Sequence, residues 1–132
     1  MLDQNGRLKE HLAVTFREGA VCKVISVNLG QIRETTWKGK AFKTAILKEP
    51  VSGPVHVATL GLEGDQQANT TNHGGILKAL FAYSFEHYTE FWQDALAGTP
   101  LANGSFGENL TTQGWMDDRV HAGDASAALA WP

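Results

Sequence analysis

The chain has 132 residues, 42% hydrophobic and 19% charged, a balance that excludes a disordered chain and is typical of one globular domain. Its net charge of -3, with basic residues spread along the sequence, argues against a nucleic-acid partner. A single cysteine excludes an internal disulfide, and the lack of a signal peptide or of an apolar run near the roughly 20 residues of a membrane span predicts a cytoplasmic protein without a membrane partner.

The N-terminal segment carries apolar side chains at four-residue spacing, namely Leu8, Leu12 and Phe16. This spacing predicts a short helix over residues 7–18. We interpret residues 1–20 as an N-terminal extension laid against one domain that covers residues 21–132.

Three stretches in the first half of the chain have the alternation or the turn residues of strands. Residues 21–29 have two largely apolar alternating faces, which predicts a central strand. Residues 35–46 predict a hairpin that turns at Lys38-Gly39, because Gly39 supplies the positive φ that a tight turn needs. Residues 55–60 alternate again and predict a further strand.

The second half contains the best helix signal. Residues 76–83 form a short apolar run that we interpret as a strand. Ser84 is a suitable N-cap for a helix over residues 85–96, which Gly98 would end. Residues 106–112 predict a short extended segment. Several short strands with glycine turns and one helix are typical of a mostly β, barrel-like fold with one or two short helices.

A histidine beside two glycines is the first candidate for a functional group. His73 precedes Gly74-Gly75, whose backbone amides can approach an anion closely. His73 can then donate to a phosphate or act as a general acid, and the alternative is a tight turn in which it caps a backbone group. Lys78 would add positive charge to the same place.

Further polar candidates also follow glycines. Asp65 is either an acceptor for amide or hydroxyl groups of a ligand or part of an Asx turn. Glu108 and Asn109 follow Gly107; Asn109 offers a donor and an acceptor to the edge of a heterocycle, although asparagine also stabilises turns. No spacing of histidines and cysteines predicts a metal site, and Cys22 is expected to pack as a small hydrophobe rather than to act as a nucleophile.

Several motifs occur in a fixed order, and together they are far more specific than any one of them. They are Ser26-Val27-Asn28-Leu29-Gly30, Lys48-Glu49-Pro50-Val51, Gly61-Leu62-Glu63-Gly64-Asp65, His73-Gly74-Gly75, Tyr83-Ser84-Phe85-Glu86-His87-Tyr88, Phe106-Gly107-Glu108-Asn109-Leu110 and Gly123-Asp124. Over residues 24–124 the sequence closely resembles the MOSC domain, the molybdenum-cofactor sulfurase C-terminal domain, and in particular its stand-alone bacterial, YiiM-like branch.

This resemblance implies a barrel-like β fold that binds the molybdenum cofactor, a molybdopterin with a phosphate and a molybdenum centre. Members of the family act as sulfur carriers or as cofactor-dependent reductases of N-hydroxylated compounds. Pyridoxal phosphate binds a separate domain of the fused sulfurases and is not expected here. The implied cofactor-binding residues are Asp65, His73, Gly74, Gly75, Lys78, Gly107, Glu108 and Asn109.

The sequence departs from the family pattern near its C-terminus. Family members continue past the Gly123-Asp124 turn to an Arg-x-Pro-Cys motif whose cysteine carries sulfur or ligates molybdenum, and this sequence has no counterpart. We therefore expect a C-terminally shortened domain with an incomplete barrel, no catalytic residue of its own, and a homodimer that pairs the open edge. The alternative is a catalytically inactive remnant that serves as a binding or assembly module.

Overall fold

The computed structural model of the chain describes residues 7–8, 13–15, 21–121 and 127–129. Strands predominate, in the order β1 (Arg7–Leu8), β2 (Ala13–Thr15), β3 (Val21–Gly30), β4 (Arg33–Trp37), β5 (Lys40–Thr44), β6 (Lys48–Pro50), β7 (Val55–Ala58), β8 (Gly61–Leu62), β9 (Ala82–Ser84), β10 (Leu110–Gln113) and β11 (Ala127–Leu129). Helical residues follow β9 as α1 (Phe85–His87), a π-helical turn (Tyr88–Trp92) and α2 (Gln93–Ala95), with a 3-10 turn at Asp117–Arg119.

Strand β3 is the centre of the fold. It pairs antiparallel with β2 at its N-terminal end, with β10 along its middle and with β6 at its C-terminal end, and the order across this sheet is β11-β2-β3-β10-β9. A second sheet has the order β1-β7-β8, and β4 and β5 form a separate hairpin. The predicted central strand and mostly β fold are confirmed. In the part of the chain that is described, the sheets form an open, partial barrel rather than a closed one.

The β4–β5 hairpin turns where the sequence predicts. Lys38 and Gly39 both have positive φ, 49° and 78°, as both central residues of a type I′ turn must. Trp37 pairs with Lys40 directly across the turn. This geometry matches the right-handed twist of the strands, so the local sequence predicts the position of the turn.

The hydrophobic core lies between the two sheets. Its buried members are Cys22, Val24, Val55 and Leu62. Cys22 has no solvent exposure, and burial raises the pKa of its thiol to about 11. A thiol with that pKa is protonated near neutral pH, so Cys22 packs as a hydrophobic side chain, as expected.

The helix after Ser84 is confirmed in position, and Gly98 ends it with φ 76°. Ser84 lies at the N-cap in an extended conformation (φ -77°, ψ 131°). Its hydroxyl donates to the Glu86 carboxylate rather than satisfying a backbone amide of the first turn. Ser84 therefore occupies the capping position without the usual capping bond.

Two secondary-structure predictions are wrong. Within residues 7–18 the described segments are strands, because Leu8 pairs with Val55 in β7 and β2 pairs with β3; the remaining residues of that range lie outside the described ones. In residues 76–83 only the last two belong to a strand, and residues 76–81 form a turn and loop. The N-terminal pattern was local, whereas strand pairing with β7 and β3 decided the outcome there.

Candidate functional site

A cavity of about 500 Å³ opens between four segments of the chain. Its walls come from the connection between β5 and β6, the loops at 66–69 and 73–81, and the loop before β10 at 106–109. Four basic side chains line it, namely Lys43, Lys48, His73 and Lys78, and no lining residue carries a carboxylate. The cavity is thus the kind of surface that attracts an anion, on a chain whose net charge is -3.

A buried ion pair joins the cavity lining to the residues behind it, with Lys48 in the lining and Asp65 behind it. Lys48 Nζ lies 2.5 Å from Asp65 Oδ1, and the two side chains are 7% and 5% exposed. Asp65 Oδ1 also accepts from the Gly30 amide (2.7 Å), and its Oδ2 accepts from Asn109 Nδ2 (2.8 Å). Both carboxylate oxygens are therefore held by protein donors, which satisfies the charge in a site shielded from water.

Asn109 lines the cavity and forms hydrogen bonds to three other segments of the chain. Its side chain donates to Asp65 and accepts from the Phe81 amide (3.2 Å). Its backbone carbonyl accepts from the Asn28 amide (2.7 Å), and its own amide donates to the Phe81 carbonyl (2.8 Å). Because both ends of the Asn109 amide are engaged, this side chain positions the wall rather than offering a free edge to a ligand.

Glu108 has no solvent exposure, and four donors converge on its carboxylate. Oε1 accepts from Tyr88 Oη (2.6 Å), the Gly104 amide (2.8 Å) and Thr111 Oγ1 (2.9 Å), while Oε2 accepts from the Phe106 amide (3.2 Å). Burial, then the hydrogen bond to Glu108 and its negative charge, raise the pKa of Tyr88 well above its ordinary value. Glu108 thus holds the loop that carries the Phe106 and Gly107 wall.

The loop at residues 69–78 closes on itself around its histidine. The Asn72 amide donates to Asn69 Oδ1 (3.3 Å), the His73 amide donates to the Asn69 carbonyl (3.1 Å), and Lys78 Nζ donates to the Asn72 carbonyl (3.2 Å). Gly74 has φ 93°, and a Cβ there would lie 2.0 Å from Gln67 Oε1. The left-handed φ of Gly74 therefore favours a glycine beside His73, and a Cβ there would also displace the end of the Gln67 side chain.

The structure brings together most of the residues expected at the site. His73, Gly74, Lys78, Gly107 and Asn109 line the cavity. Asp65 and Glu108 lie behind its walls, and Gly75 belongs to the loop without lining the cavity.

Sequence reasoning missed other residues that line the cavity, including Lys43, Lys48, Gln67, Phe81 and Phe106. Lys48 opens the Lys48-Glu49-Pro50-Val51 motif, which was the available signal. Nothing in the local sequence paired it with Asp65.

Two further classes of site were searched for in the described part of the chain. No group of three or more histidine, cysteine, aspartate or glutamate side chains is arranged to hold a metal ion there. The helices of the same residues are all too short or too polar to cross a bilayer.

Several known proteins are similar to this chain in sequence, and one of them in solved structure. The MOSC domain family matches residues 69–130. An uncharacterized protein of Bacillus subtilis (strain 168), YflK, is 43% identical over 101 residues, which cover 76% of this chain and 45% of YflK. The protein YiiM of Escherichia coli (strain K12) is 41% identical over 87 residues, covering 61% of this chain and 37% of YiiM.

A solved structure agrees with these sequence matches. The crystal structure of YiiM from Geobacillus stearothermophilus superposes with a TM-score of 0.50 at 30% identity, over 75% of this chain and 42% of that one. The chain spans less than half the length of each of these three relatives. On its ordered motifs, its sequence matches and its partial barrel, the chain belongs to the MOSC domain family, as a YiiM-like member.

Proposed function

We propose that the cavity binds the molybdenum cofactor and that the chain acts as a MOSC-type cofactor-binding domain. The observation that carries this proposal is the basic lining of the cavity, without a lining carboxylate, in a chain of net negative charge. A phosphate group brings negative charge and strong acceptor oxygens, which lysine and histidine donors match.

The other lining residues also fit a pterin. Gln66, Gln67 and Asn69 provide amide donors and acceptors of the kind that recognise a heterocycle edge. Phe81 and Phe106 provide apolar, aromatic surface for its faces. A volume of about 500 Å³ lies within the range of small-molecule and cofactor sites.

Each part of the wall then has a role in binding. Lys43, His73 and Lys78, which are exposed, would hold one anionic end of the cofactor, and the amide side chains would orient the pterin. When bound, the molybdenum centre supplies the redox chemistry. Sulfur carriage and the reduction of N-hydroxylated compounds are the two activities that such binding would serve in this family.

The proposal is tested by the cofactor that remains on purified protein. Lys43 lines the cavity, whereas Lys40, on the same strand β5, does not, so Lys43→Ala and Lys40→Ala form a matched pair. After expression in a host that makes the cofactor, we expect Lys43→Ala to retain about fivefold less pterin, the effect of losing about 1 kcal/mol from an exposed charge contact. Lys40→Ala should retain the wild-type amount.

Two results would contradict the proposal. Equal pterin in both variants would place the cofactor elsewhere on the chain. A wild-type protein that carries no pterin would favour the binding or assembly module instead.

A further inference from the structure

Lys48 differs from the other cations of the cavity because it is buried. Its side chain is 7% exposed, yet it lines the cavity. Lys43 and Lys78 are exposed, and Lys78 already donates to the Asn72 carbonyl. A buried ammonium interacts with an anion more strongly than a solvated one, because water does not screen it.

The ammonium of Lys48 has donors to spare. It carries three N–H groups, and among the described residues its only acceptor is Asp65 Oδ1. Asp65 in turn is shared with the Gly30 amide and the Asn109 side chain. Two N–H groups of a desolvated cation are thus left without a protein partner beside a cavity that lacks carboxylates.

The backbone of Lys48 is held in place from the other side. Its amide donates to the Gly104 carbonyl (3.2 Å). A Cβ on Gly104 would approach the Lys48 carbonyl oxygen to 2.5 Å, so only glycine permits this contact. With its backbone fixed and its ammonium anchored on Asp65, Lys48 is preorganised, and little entropy is lost when a ligand binds it.

We propose that Lys48 is the oxyanion-binding group in the cavity lining, where its two remaining N–H groups donate to the oxygens of a phosphate or a metal-oxo group of the ligand. Asp65 acts as a positioning residue that keeps the ammonium in place. The assignment rests on the proposed cofactor-binding function, because both kinds of oxyanion occur in the molybdenum cofactor. It adds which protein group contacts the oxyanion.

Binding of simple oxyanions to the purified protein tests this assignment. Inorganic phosphate and molybdate are titrated calorimetrically into the wild type, Lys48→Gln, Lys48→Arg and the control Lys40→Gln. Glutamine can still donate to Asp65 but removes the charge. We expect Lys48→Gln to bind at least about tenfold more weakly, the loss of one charge-assisted hydrogen bond, while Lys48→Arg and Lys40→Gln keep measurable binding.

The two probes separate the two sources of the oxyanion. Preference for phosphate assigns the phosphate end of the cofactor to Lys48, and preference for molybdate assigns the metal-oxo end. Undiminished affinity of Lys48→Gln for both, or no binding of either anion to the wild type, would overturn the assignment.

A second measurement on the wild type covers the case in which Lys48→Gln fails to fold. Trace acetylation is followed by mass spectrometry at Lys48 and Lys40, with and without the anion that binds. We expect the anion to slow acetylation of Lys48 relative to Lys40, and an unchanged ratio would refute the assignment.

Pterin analysis keeps this inference distinct from the proposed function. If the wild type carries pterin and Lys48→Gln binds the anions normally, the Lys48 assignment is refuted and the proposed cofactor-binding function stands. If Lys48→Gln loses anion binding and the wild type carries no pterin, the oxyanion site is supported and the proposed binding of the cofactor is refuted.

Discussion

At the scale of single residues, Glu108 stands out as an acid with no solvent exposure and no cationic partner among the described residues. Four hydrogen-bond donors take the place of a cation. They come from a helical residue, from strand β10 and from two positions of one loop. A single buried carboxylate thereby sets the position of a cavity wall that it does not itself reach.

Replacing Glu108 by glutamine should destabilise the fold. If the oxygen of the glutamine side chain takes the Oε1 position, its NH₂ group takes the Oε2 position. Two donors, this NH₂ group and the Phe106 amide, then face each other without an acceptor. In the opposite orientation the NH₂ group faces three donors, including Tyr88 Oη. We expect a loss of about 1–3 kcal/mol in the free energy of unfolding, measured in urea. Exposed Glu90→Gln is the control, and equal stability of the two variants would refute this role.

Glu86 makes stability depend on acid pH. Burial opposes its ionisation, but hydrogen bonds from Ser84 Oγ and the Gly114 amide outweigh burial and lower the pKa of Glu86 below its ordinary value of 4.5. A lowered pKa means that its contribution is present above pH 4.5 and is lost as the pH falls through the folded-state pKa.

The matching experiment compares wild type with Glu86→Gln at several pH values. At pH near 7 the variant should be less stable, and the gap in unfolding free energy should narrow as the pH falls below 4.5 and through the lowered pKa of Glu86. A gap that is constant over that range would show that ionisation of Glu86 contributes nothing.

At the scale of elements, the site depends on close approaches between loops. Gly104 has φ 91°, and an added Cβ would meet the carbonyl group of Lys48 at 2.5–2.8 Å. Gly39 has a similar φ of 78°, but nothing lies within 4 Å of its added Cβ. The two glycines therefore share backbone strain and differ only in contact.

This difference makes Gly39→Ala a control for Gly104→Ala. In both variants the left-handed backbone conformation should lower the free energy of unfolding by about 1–2 kcal/mol. In Gly104→Ala it should fall by about 1–3 kcal/mol more, because backbone atoms must move to make room for the Cβ. Thermal and urea unfolding measure both losses. Equal losses would mean that the loop tolerates a side chain against β6.

Local chemistry made some elements predictable. The β4–β5 turn needs only Gly39 and its neighbour, and the end of the helix needs only Gly98. The four-residue spacing near the N-terminus was misleading because β1 and β2 are defined by partners in β7 and β3. Residues 76–81 are apolar without being a strand, since they lie on a loop beside the cavity.

The candidate site was predictable to the extent that its residues lie next to glycine turns. His73 and Gly74 belong to the His-Gly-Gly turn, and Asn109 lies two residues after Gly107. The pairing of Lys48 with Asp65 was not predictable, because the two residues are 17 positions apart and the pairing of β3 with β6 helps to bring them together. A contact between residues this far apart cannot be predicted from the local sequence around either residue. The domain boundary at residue 20 and the cytoplasmic location stay predictions.

At the scale of the whole molecule, several large apolar side chains are exposed. Leu77 is 93% exposed and Ile46 58%, and both line the cavity. Ile76 and Leu47, their neighbours in sequence, are also exposed. Exposed apolar side chains of this size favour association with another surface.

We expect the open edge of the partial barrel to pair with a second copy in a two-fold homodimer, since one edge that pairs with itself closes the assembly. Light scattering over a dilution series measures the mass directly. The predicted result is twice the chain mass at high concentration. A folded monomer at every concentration would exclude the dimer.

The distribution of charge links the cavity to the rest of the molecule. A chain of net charge -3 concentrates three lysines and a histidine around one opening. Asp65 compensates the charge of Lys48, so the net positive charge of the cavity lining comes from Lys43 and Lys78. An anionic ligand is thereby guided to one place on the surface.

The central claim is that this cavity holds the molybdenum cofactor, and the amount of cofactor on the purified chain tests it most directly. Protein prepared anaerobically from a host that makes the cofactor is oxidised to release a fluorescent pterin, and its molybdenum content is measured in parallel. The account predicts pterin and molybdenum in equal amounts, approaching one of each per chain. Protein that is folded but carries neither would contradict it.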